Sequence, residues 1–205
     1  AFIGGRLNMG YDRGLSGVDG KSDYSTFTSD KGKVPGTLYA PTNDGQVHVI
    51  NAADDSATPS QKIKNSSGGV IAAGTELWAY QIRGSLSKMQ AFADPAYNFE
   101  YVLDGPVAEH DIYDSTTGVN AWRQMVYGTL GRAGKGIYAL NAPLNKADAN
   151  NLNRIPNASG YKREVAPANM GYITNASTAG QTRSGDWVVL VNSGHYANTT
   201  KAGLF

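Results

Sequence analysis

The chain predicts an all-β fold: part of a β-propeller, roughly two to three blades, with long polar loops and one short helix. Three observations predict it. A strand–glycine turn–strand unit is written twice in full and once cut short. Twenty-five glycines and 12 tyrosines, with many Asn, Ser and Thr residues, suit strands and turns better than long helices. Only one stretch has convincing helical spacing.

The first copy of the unit runs from Leu38-Tyr39-Ala40 through the turn Asn43-Asp44-Gly45 to Val47-His48-Val49-Ile50-Asn51-Ala52. The second runs from Met125-Val126-Tyr127 through Gly128, Gly131, Gly134 and Gly136 to Ile137-Tyr138-Ala139-Leu140-Asn141-Ala142. The third begins at Val188-Val189-Leu190-Val191, turns at Asn192-Ser193-Gly194 and stops at Leu204-Phe205, where its second strand is expected to begin. Asn51 and Asn141 lie 90 positions apart. A blade needs about 40–45 residues, so the interval is one blade with a large insertion or close to two blades. A closed propeller needs at least about four blades. Residues 1–205 are therefore expected to be part of a single propeller domain, completed by further chain or by a partner.

The remaining elements follow in order. Residues 6–33 are polar, glycine-rich and aperiodic, and are expected to form a long surface loop. Ala53–Gly69, rich in Ser, Asp, Asn and Lys, is expected to be exposed. Glu76-Leu77-Trp78-Ala79-Tyr80-Gln81-Ile82 has strand character. Ser85 can cap a short helix whose stripe, Leu86, Met89 and Phe92 or Ala93, is expected to dock on a sheet before Pro95 ends it. Tyr101–Leu103 and Pro106–Ile112 read as strands, Trp122–Thr129 and Gly136–Leu140 as the clearest hairpin. Ala142–Thr182 is a long polar stretch with short strands near Arg163–Val165 and Gly171–Thr174, and Asp186–Asn192 is the last strand. Trp78, Trp122 and Trp187 each fall in a strand and are expected to anchor sheet packing.

Composition bounds the function. Eighteen basic residues against 17 acidic ones leave a formal net charge of +1, with no basic cluster, which argues against nucleic acid as a partner. Without cysteine there is no disulfide scaffold, thiolate metal site or cysteine nucleophile. No apolar run reaches the length of a membrane span. The opening Ala1-Phe2-Ile3-Gly4-Gly5-Arg6 is neither a signal peptide nor an initiator, so an internal or processed piece is expected. Four sequons, at Asn65, Asn157, Asn175 and Asn198, read as chance matches in so Asn-rich a chain.

Motifs with the residue types of catalytic or ligand sites fall short on spacing. Gly128-Thr129-Leu130-Gly131-Arg132-Ala133-Gly134-Lys135-Gly136 fails as a phosphate loop: Thr129 stands where a Gly is needed, Gly136 where Ser or Thr is needed, and a strand follows. His48 reads as a satisfied mid-strand residue, and His195 lies in a turn. In Glu109-His110-Asp111, with Asp114 nearby, alternation lets at most Glu109 and Asp111 converge, too few for zinc, and polar edge residues are the better reading. Asp12, Asp19, Asp23 and Asp30 match no calcium spacing and read as a solvated loop. No catalytic, cofactor-binding or metal-ligating residue is assigned, and the chain is read as non-enzymatic.

Four blocks in matching order resemble the PilC/PilY-type proteins of type IV pili. Asn43-Asp44-Gly45-Gln46-Val47-His48 resembles that family's "ANDGMLHAF". Glu76-Leu77-Trp78-Ala79-Tyr80, with Leu86, Ala93-Asp94-Pro95-Ala96-Tyr97 and Tyr101-Val102-Leu103-Asp104-Gly105-Pro106, resembles "ELWAF…LADPxYxHxYxVDGxP". Gly131-Arg132-Ala133-Gly134-Lys135-Gly136-Ile137-Tyr138-Ala139-Leu140 is similar to "GxGGKGxxALD", and Gly185-Asp186-Trp187-Val188 through Asn192-Ser193-Gly194-His195-Tyr196 to "GxWVxxxGNGY". Asn141 stands where the family has Asp, Ala142–Thr182 is longer and less regular than the family pattern, and there is no Arg-Gly-Asp tripeptide.

The resemblance implies a C-terminal propeller related to the quinoprotein fold, in an exported protein at the pilus tip or outer membrane of the bacterial surface. It implies a tip adhesin and biogenesis factor that supports twitching motility, with minor or major pilins, host or abiotic surfaces and the remaining blades as partners. It also implies calcium, bound by a loop that in the family follows the "GNGY" block. No ligand of that loop can be carried onto this chain. Contact segments are expected at Tyr11–Lys33, Ala53–Gly69 and Ala142–Thr182. One alternative is a quinone-dependent dehydrogenase, since Asn51-Ala52-Ala53 followed by Gly74-Thr75-Glu76-Leu77-Trp78 echoes the "LDAxTGxxLW" blade motif. Another is a lectin-like sugar binder using exposed Trp or Tyr.

Overall fold

The computed structural model describes residues 1–5, 7–13, 21–33, 35–53, 62–64, 67–114, 122–142 and 162–198. Strands β1 (Phe2–Ile3), β2 (Thr37–Pro41), β3 (Gln46–Asn51) and β4 (Glu76–Gln81) form one four-stranded antiparallel meander. Strands β5 (Val107–Tyr113), β6 (Trp122–Thr129), β7 (Ile137–Ala142) and β8 (Lys162–Val165) form a second of the same order. Strands β9 (Thr178–Gln181) and β10 (Trp187–Leu190) make a hairpin. Three described hairpin turns have the residue their backbone needs: Gly45 at φ +82°, Gly131 at φ +67° and Gly185 at φ +96°.

The two full copies of the repeated unit are the second and third strands of consecutive sheets, β2–β3 and β6–β7. The 90-position interval is thus one blade plus long excursions. Register refines the match. Tyr39 pairs with Val49 and Tyr127 with Ala139, so Tyr127, not Val126, is the counterpart of Tyr39.

The sheets stack face to face. Tyr39, Val47 and Val49 of the first meet Val126, Tyr138, Leu140 and Ala142 of the second in the main core. The opposite face of the second sheet, Met125, Tyr127, Ile112 and Ala139, packs on Ala179 and Val189 of the third. Equivalent positions therefore take the same role: Val47 points on toward the second sheet, and Ile137, its counterpart, points on toward the third. That is the parity of stacked propeller blades, in which every sheet lends one face to each neighbour. Leu38 and Leu190, on the outer faces of the first and third sheets, are 37% and 41% exposed.

Several expectations from sequence are corrected. Residues 6–33 are not a loop throughout: Lys21–Lys31 is an 11-residue helix, α1. Its sequence lacks an apolar stripe, so neither propensity nor period revealed it; two side chains two turns apart, Tyr24 and Lys31, are buried and hold it to β5. The foreseen helix after Ser85 is a single turn, α2 (Leu86–Met89), between 3₁₀ turns at Arg83–Ser85 and Gln90–Ala93. Its stripe does not dock on a sheet: Leu86 and Phe92 are exposed, Phe92 resting on Tyr97. Ser85 does not cap it either; its hydroxyl lies 2.6 Å from the Ile82 carbonyl and 2.9 Å from that of Gly45. Tyr101–Leu103 is not a strand, although Val102 and Leu103 are buried. Gly171–Thr174 contributes only the bridge Tyr172–His195, whereas β9 had no clear signal. Leu204-Phe205, Asp19, the sequons at Asn65 and Asn157, and residues 54–61, 65–66 and 143–161 of the expected loops lie outside the described residues.

Candidate functional site

The turns at one edge of the stacked sheets are tied into one rim, and the ties run between the blocks that carry the family resemblance. Asn43, in the β2–β3 turn, donates from Nδ2 to the Glu100 carbonyl at 2.8 Å and accepts from the Val102 N–H at 2.8 Å. Asp104 accepts from the Arg132 N–H at 2.7 Å. Lys135 donates from Nζ to the Tyr196 carbonyl at 3.1 Å. Two glycines let the backbones approach. A Cβ on Gly105 would lie 1.9 Å from the Thr129 carbonyl oxygen, and one on Gly131 would lie 2.2 Å from Asp104 Oδ1.

On this frame stands a patch of aromatics and cations. The Arg132 guanidinium lies 4.9 Å over the Tyr101 ring and bonds its hydroxyl at 3.0 Å. Lys135 Nζ lies 5.6 Å over Tyr172, which meets Tyr196 edge to face at 6.5 Å. Phe99 stands against Tyr101 at 5.3 Å. Tyr196 is 86% exposed and has the positive φ (57°) that a non-glycine residue rarely adopts. Rings fixed by cation–π contacts and main-chain bonds present apolar area at little entropic cost on binding. A bulky residue in a left-handed backbone is the sort of local strain that gathers at functional positions.

The sequence-predicted residues are placed as follows. Glu109 and Asp111 share a face, as alternation requires, and His110 points the other way, 3.3 Å from the Ser177 carbonyl. They are not polar edge residues. The Asp111 side chain is fully buried, bonded to Lys31 Nζ and to the Tyr24 hydroxyl, and Glu109 lies 3.7 Å from the same ammonium. Burial pushes both carboxyls above the usual carboxylate range and the Tyr24 phenol above its own. His48 is held between Glu76 and Asp44, with its Nε2 2.8 Å from Asp44. The hydrogen bond to Glu76 leads in raising its pKa. Asp114 pairs with Arg123 at 2.9 Å. Among the described residues no group of three or more His, Asp or Glu side chains is placed to hold a metal ion.

Two alternatives read from sequence can be compared with this geometry. Asn51, which opens the segment echoing the dehydrogenase motif, is buried and bonds the Ile71 and Ala72 carbonyls at 2.8 and 3.1 Å, so its amide closes the β3–β4 connection. None of the three tryptophans is exposed. Trp122 is stacked with Tyr11, is tilted against Tyr24 and meets Phe27, Tyr113 and Trp187, while Trp78 packs on Tyr39. Phe99, Tyr101 and Tyr196 are exposed rings that sequence did not single out as a site. Their signal was the turn chemistry beside them, Asp104-Gly105 and Ser193-Gly194.

Comparison with known proteins places this geometry. A family model described as the PilY1 beta-propeller domain matches residues 3–204. A type IV pilus biogenesis factor PilY1 homolog of Xylella fastidiosa is 27% identical over 185 residues, 90% of this chain and 13% of that protein. The type IV pilus biogenesis factor PilY1 of Pseudomonas aeruginosa is 24% identical over 191 residues, 91% of this chain and 14% of that protein. The crystal structure of the P. aeruginosa PilY1 C-terminal domain superposes with a TM-score of 0.62 at 20% identity, over 100% of this chain and 33% of that one. The chain thus spans about one-seventh of the curated relatives it matches. It belongs to the PilY1 β-propeller domain family.

Proposed function

We propose that this chain is a run of consecutive propeller blades in an exported, type IV pilus-associated protein, and that it works by presenting a contact surface rather than by catalysis. The rim of Tyr101, Arg132, Lys135, Tyr172 and Tyr196 carries this reading: rings and cations held on blade turns, with Tyr101, Arg132 and Tyr196 exposed and Lys135 and Tyr172 half-buried. Its partners are pilus subunits, minor or major pilins, or a host or abiotic surface. Aromatic and Arg anchors on a fixed frame are the residue types that dominate binding energy at interfaces. The protein would sit at the cell surface, at the pilus tip or outer membrane, and support pilus biogenesis, adhesion and twitching motility.

Of the three contact segments expected from sequence, Tyr11–Lys33 no longer serves as one throughout, because α1 is packed into the fold through Tyr24 and Lys31. The outer faces carrying Leu38 and Leu190 are covered in this reading by further blades of the same polypeptide. What supports this is that the chain superposes over its whole length on one third of a larger solved domain. Calcium is proposed for a loop outside this chain, and no residue here is given to it.

The test is binding of the protein to isolated pili, with twitching as the cellular readout. Combined Arg132→Ala, Lys135→Ala and Tyr196→Ala substitutions are expected to lower binding at least tenfold with the fold intact by circular dichroism. Undiminished binding would overturn the rim as contact surface. Binding transferred to a glycan array and lost with Tyr196→Ala would favour the lectin-like reading instead.

A further inference from the structure

We propose that Lys31 and Asp111 are joined by a covalent amide bond, from Lys31 Nζ to Asp111 Cγ, formed within the folded protein with Glu109 as the proton carrier. Three functional groups are already assembled. Lys31 Nζ lies 2.9 and 2.8 Å from the two Asp111 carboxyl oxygens, and Glu109 Oε1 lies 3.7 Å from the same nitrogen. The side chains of Lys31 and Asp111 are fully buried and that of Glu109 is 11% exposed. The walls are aromatic: Tyr24 and Phe27 both pack on Trp122, at 4.5 and 5.9 Å.

A dry enclosure of this kind favours the reaction over the ion pair. A buried ammonium–carboxylate pair loses its hydration, and moving one proton from Lys31 to Asp111 removes both charges. The outcome is a free amine beside a carboxylic acid, the two forms that condense. Burial already holds the carboxyls of Asp111 and Glu109 above their usual range. A desolvated lysine amine is an effective nucleophile, and fixed neighbours react at high effective concentration.

The step balances without any co-reactant. The Nζ lone pair attacks Asp111 Cγ, the C–N bond forms, and the carbonyl electron pair moves onto oxygen. The Tyr24 hydroxyl, 2.7 Å from Asp111 Oδ2, donates to the oxygen where that charge collects. Glu109 takes the proton from the nitrogen and hands one to the departing hydroxyl. The C–O bond breaks and one water leaves; nothing is oxidised or reduced. Glu109 is held for this by Gln124, whose Nε2 bonds it and also the Gly4 carbonyl at 3.0 Å. Tyr24 is held in turn by the Met9 N–H, which donates to its hydroxyl at 2.8 Å.

The placement gives the bond a use. Lys31 and Asp111 are 80 positions apart, and strands β2, β3 and β4 lie between them. One amide would fasten α1 to the second sheet and close three of the first sheet's four strands, β2 to β4, inside a covalent loop. Strands so enclosed cannot be drawn out of the stack by tension along the chain, and their unfolded state is restricted as by any long cross-link.

Peptide mapping by mass spectrometry of the intact protein that carries this chain tests the proposal. The expected result is one branched peptide carrying Lys31 and Asp111, lighter by one water than its two parts, with fragment ions placing the loss at that junction. Recovery of the two peptides separately at full mass would overturn it, and would leave an ordinary buried ion pair. Glu109→Gln, checked for fold by circular dichroism, is expected to yield mostly the separate peptides. A cross-link formed as completely in that variant would overturn the role given to Glu109.

Discussion

Asn43 grips the main chain on both sides of Tyr101: its Oδ1 accepts from the Val102 N–H and its Nδ2 donates to the Glu100 carbonyl, each at 2.8 Å. The contact joins the β2–β3 turn to the segment that leads into the second sheet. Replacing Asn43 by Ala leaves both main-chain groups without that partner. A loss of about 1–2 kcal/mol is expected, read from the urea midpoint at unchanged slope. A change below a few tenths would remove Asn43 from the frame.

Gly105 and Gly131 are fixed by space rather than by flexibility alone. Alanine at 105 would drive a methyl into the Thr129 carbonyl, a backbone atom that cannot swing aside. Alanine at 131 meets Asp104 and must also hold a left-handed backbone. Each substitution is expected to cost about 2–3 kcal/mol by thermal or urea unfolding. Gly180, where an added Cβ meets nothing within 4 Å, is the control, and Gly180→Ala is expected to change stability by less than about 1 kcal/mol.

The stacked core and the aromatic cluster respond as buried apolar groups do. Leu140→Ala, at the interface of the first two sheets, is expected to cost about 2–5 kcal/mol, and Trp122→Ala about 3–5 kcal/mol. Calorimetry of the purified protein measures both. Values under about 1 kcal/mol would mean that the sheets do not share this core.

His48 sets a pH dependence whose sign is fixed. Its pKa in the fold is raised, first by the hydrogen bond to Glu76 and then by Asp44, against an opposing effect of burial. A raised histidine contributes stability that is complete below its unfolded pKa and is lost as pH rises through the folded value. The melting temperature is therefore expected to fall modestly from about pH 6 to 8. Glu76→Gln is expected to flatten that fall, because the lead partner is neutralised. Asp44 acts on the acid side. Burial alone would raise its carboxyl, but bonds from Thr42, His48 and Gln46 bring it below the usual range, so its contribution disappears as pH falls through that value.

Much of the fold was legible because its signals are local. Alternation and glycine turns gave both full copies of the repeated unit, and β4, β6, β7 and β10 fell where strand character was read. The opposite facing of Glu109 and His110 followed from the two-residue period. What escaped is what depends on distant partners. Helix α1 has no apolar stripe, and only its fit against β5, through Tyr24 and Lys31, defines it. Asp111 looked like a surface carboxylate because its cation lies 80 positions earlier in the chain. The rim was half legible: the turns and glycines that build it stand out, but the exposure of Tyr101 and Tyr196 is settled only by how the blades stack.

The proposed function makes these sheets neighbouring blades of a larger ring, with their outer faces covered and their rim free. This chain has no cysteine, and single cysteines introduced by Leu38→Cys, Leu190→Cys and Tyr196→Cys can be labelled in the full protein, with the unsubstituted protein as the background. That arrangement predicts rapid thiol labelling at position 196 and protection at 38 and 190. Labelling as fast at 38 and 190 as at 196 would contradict it.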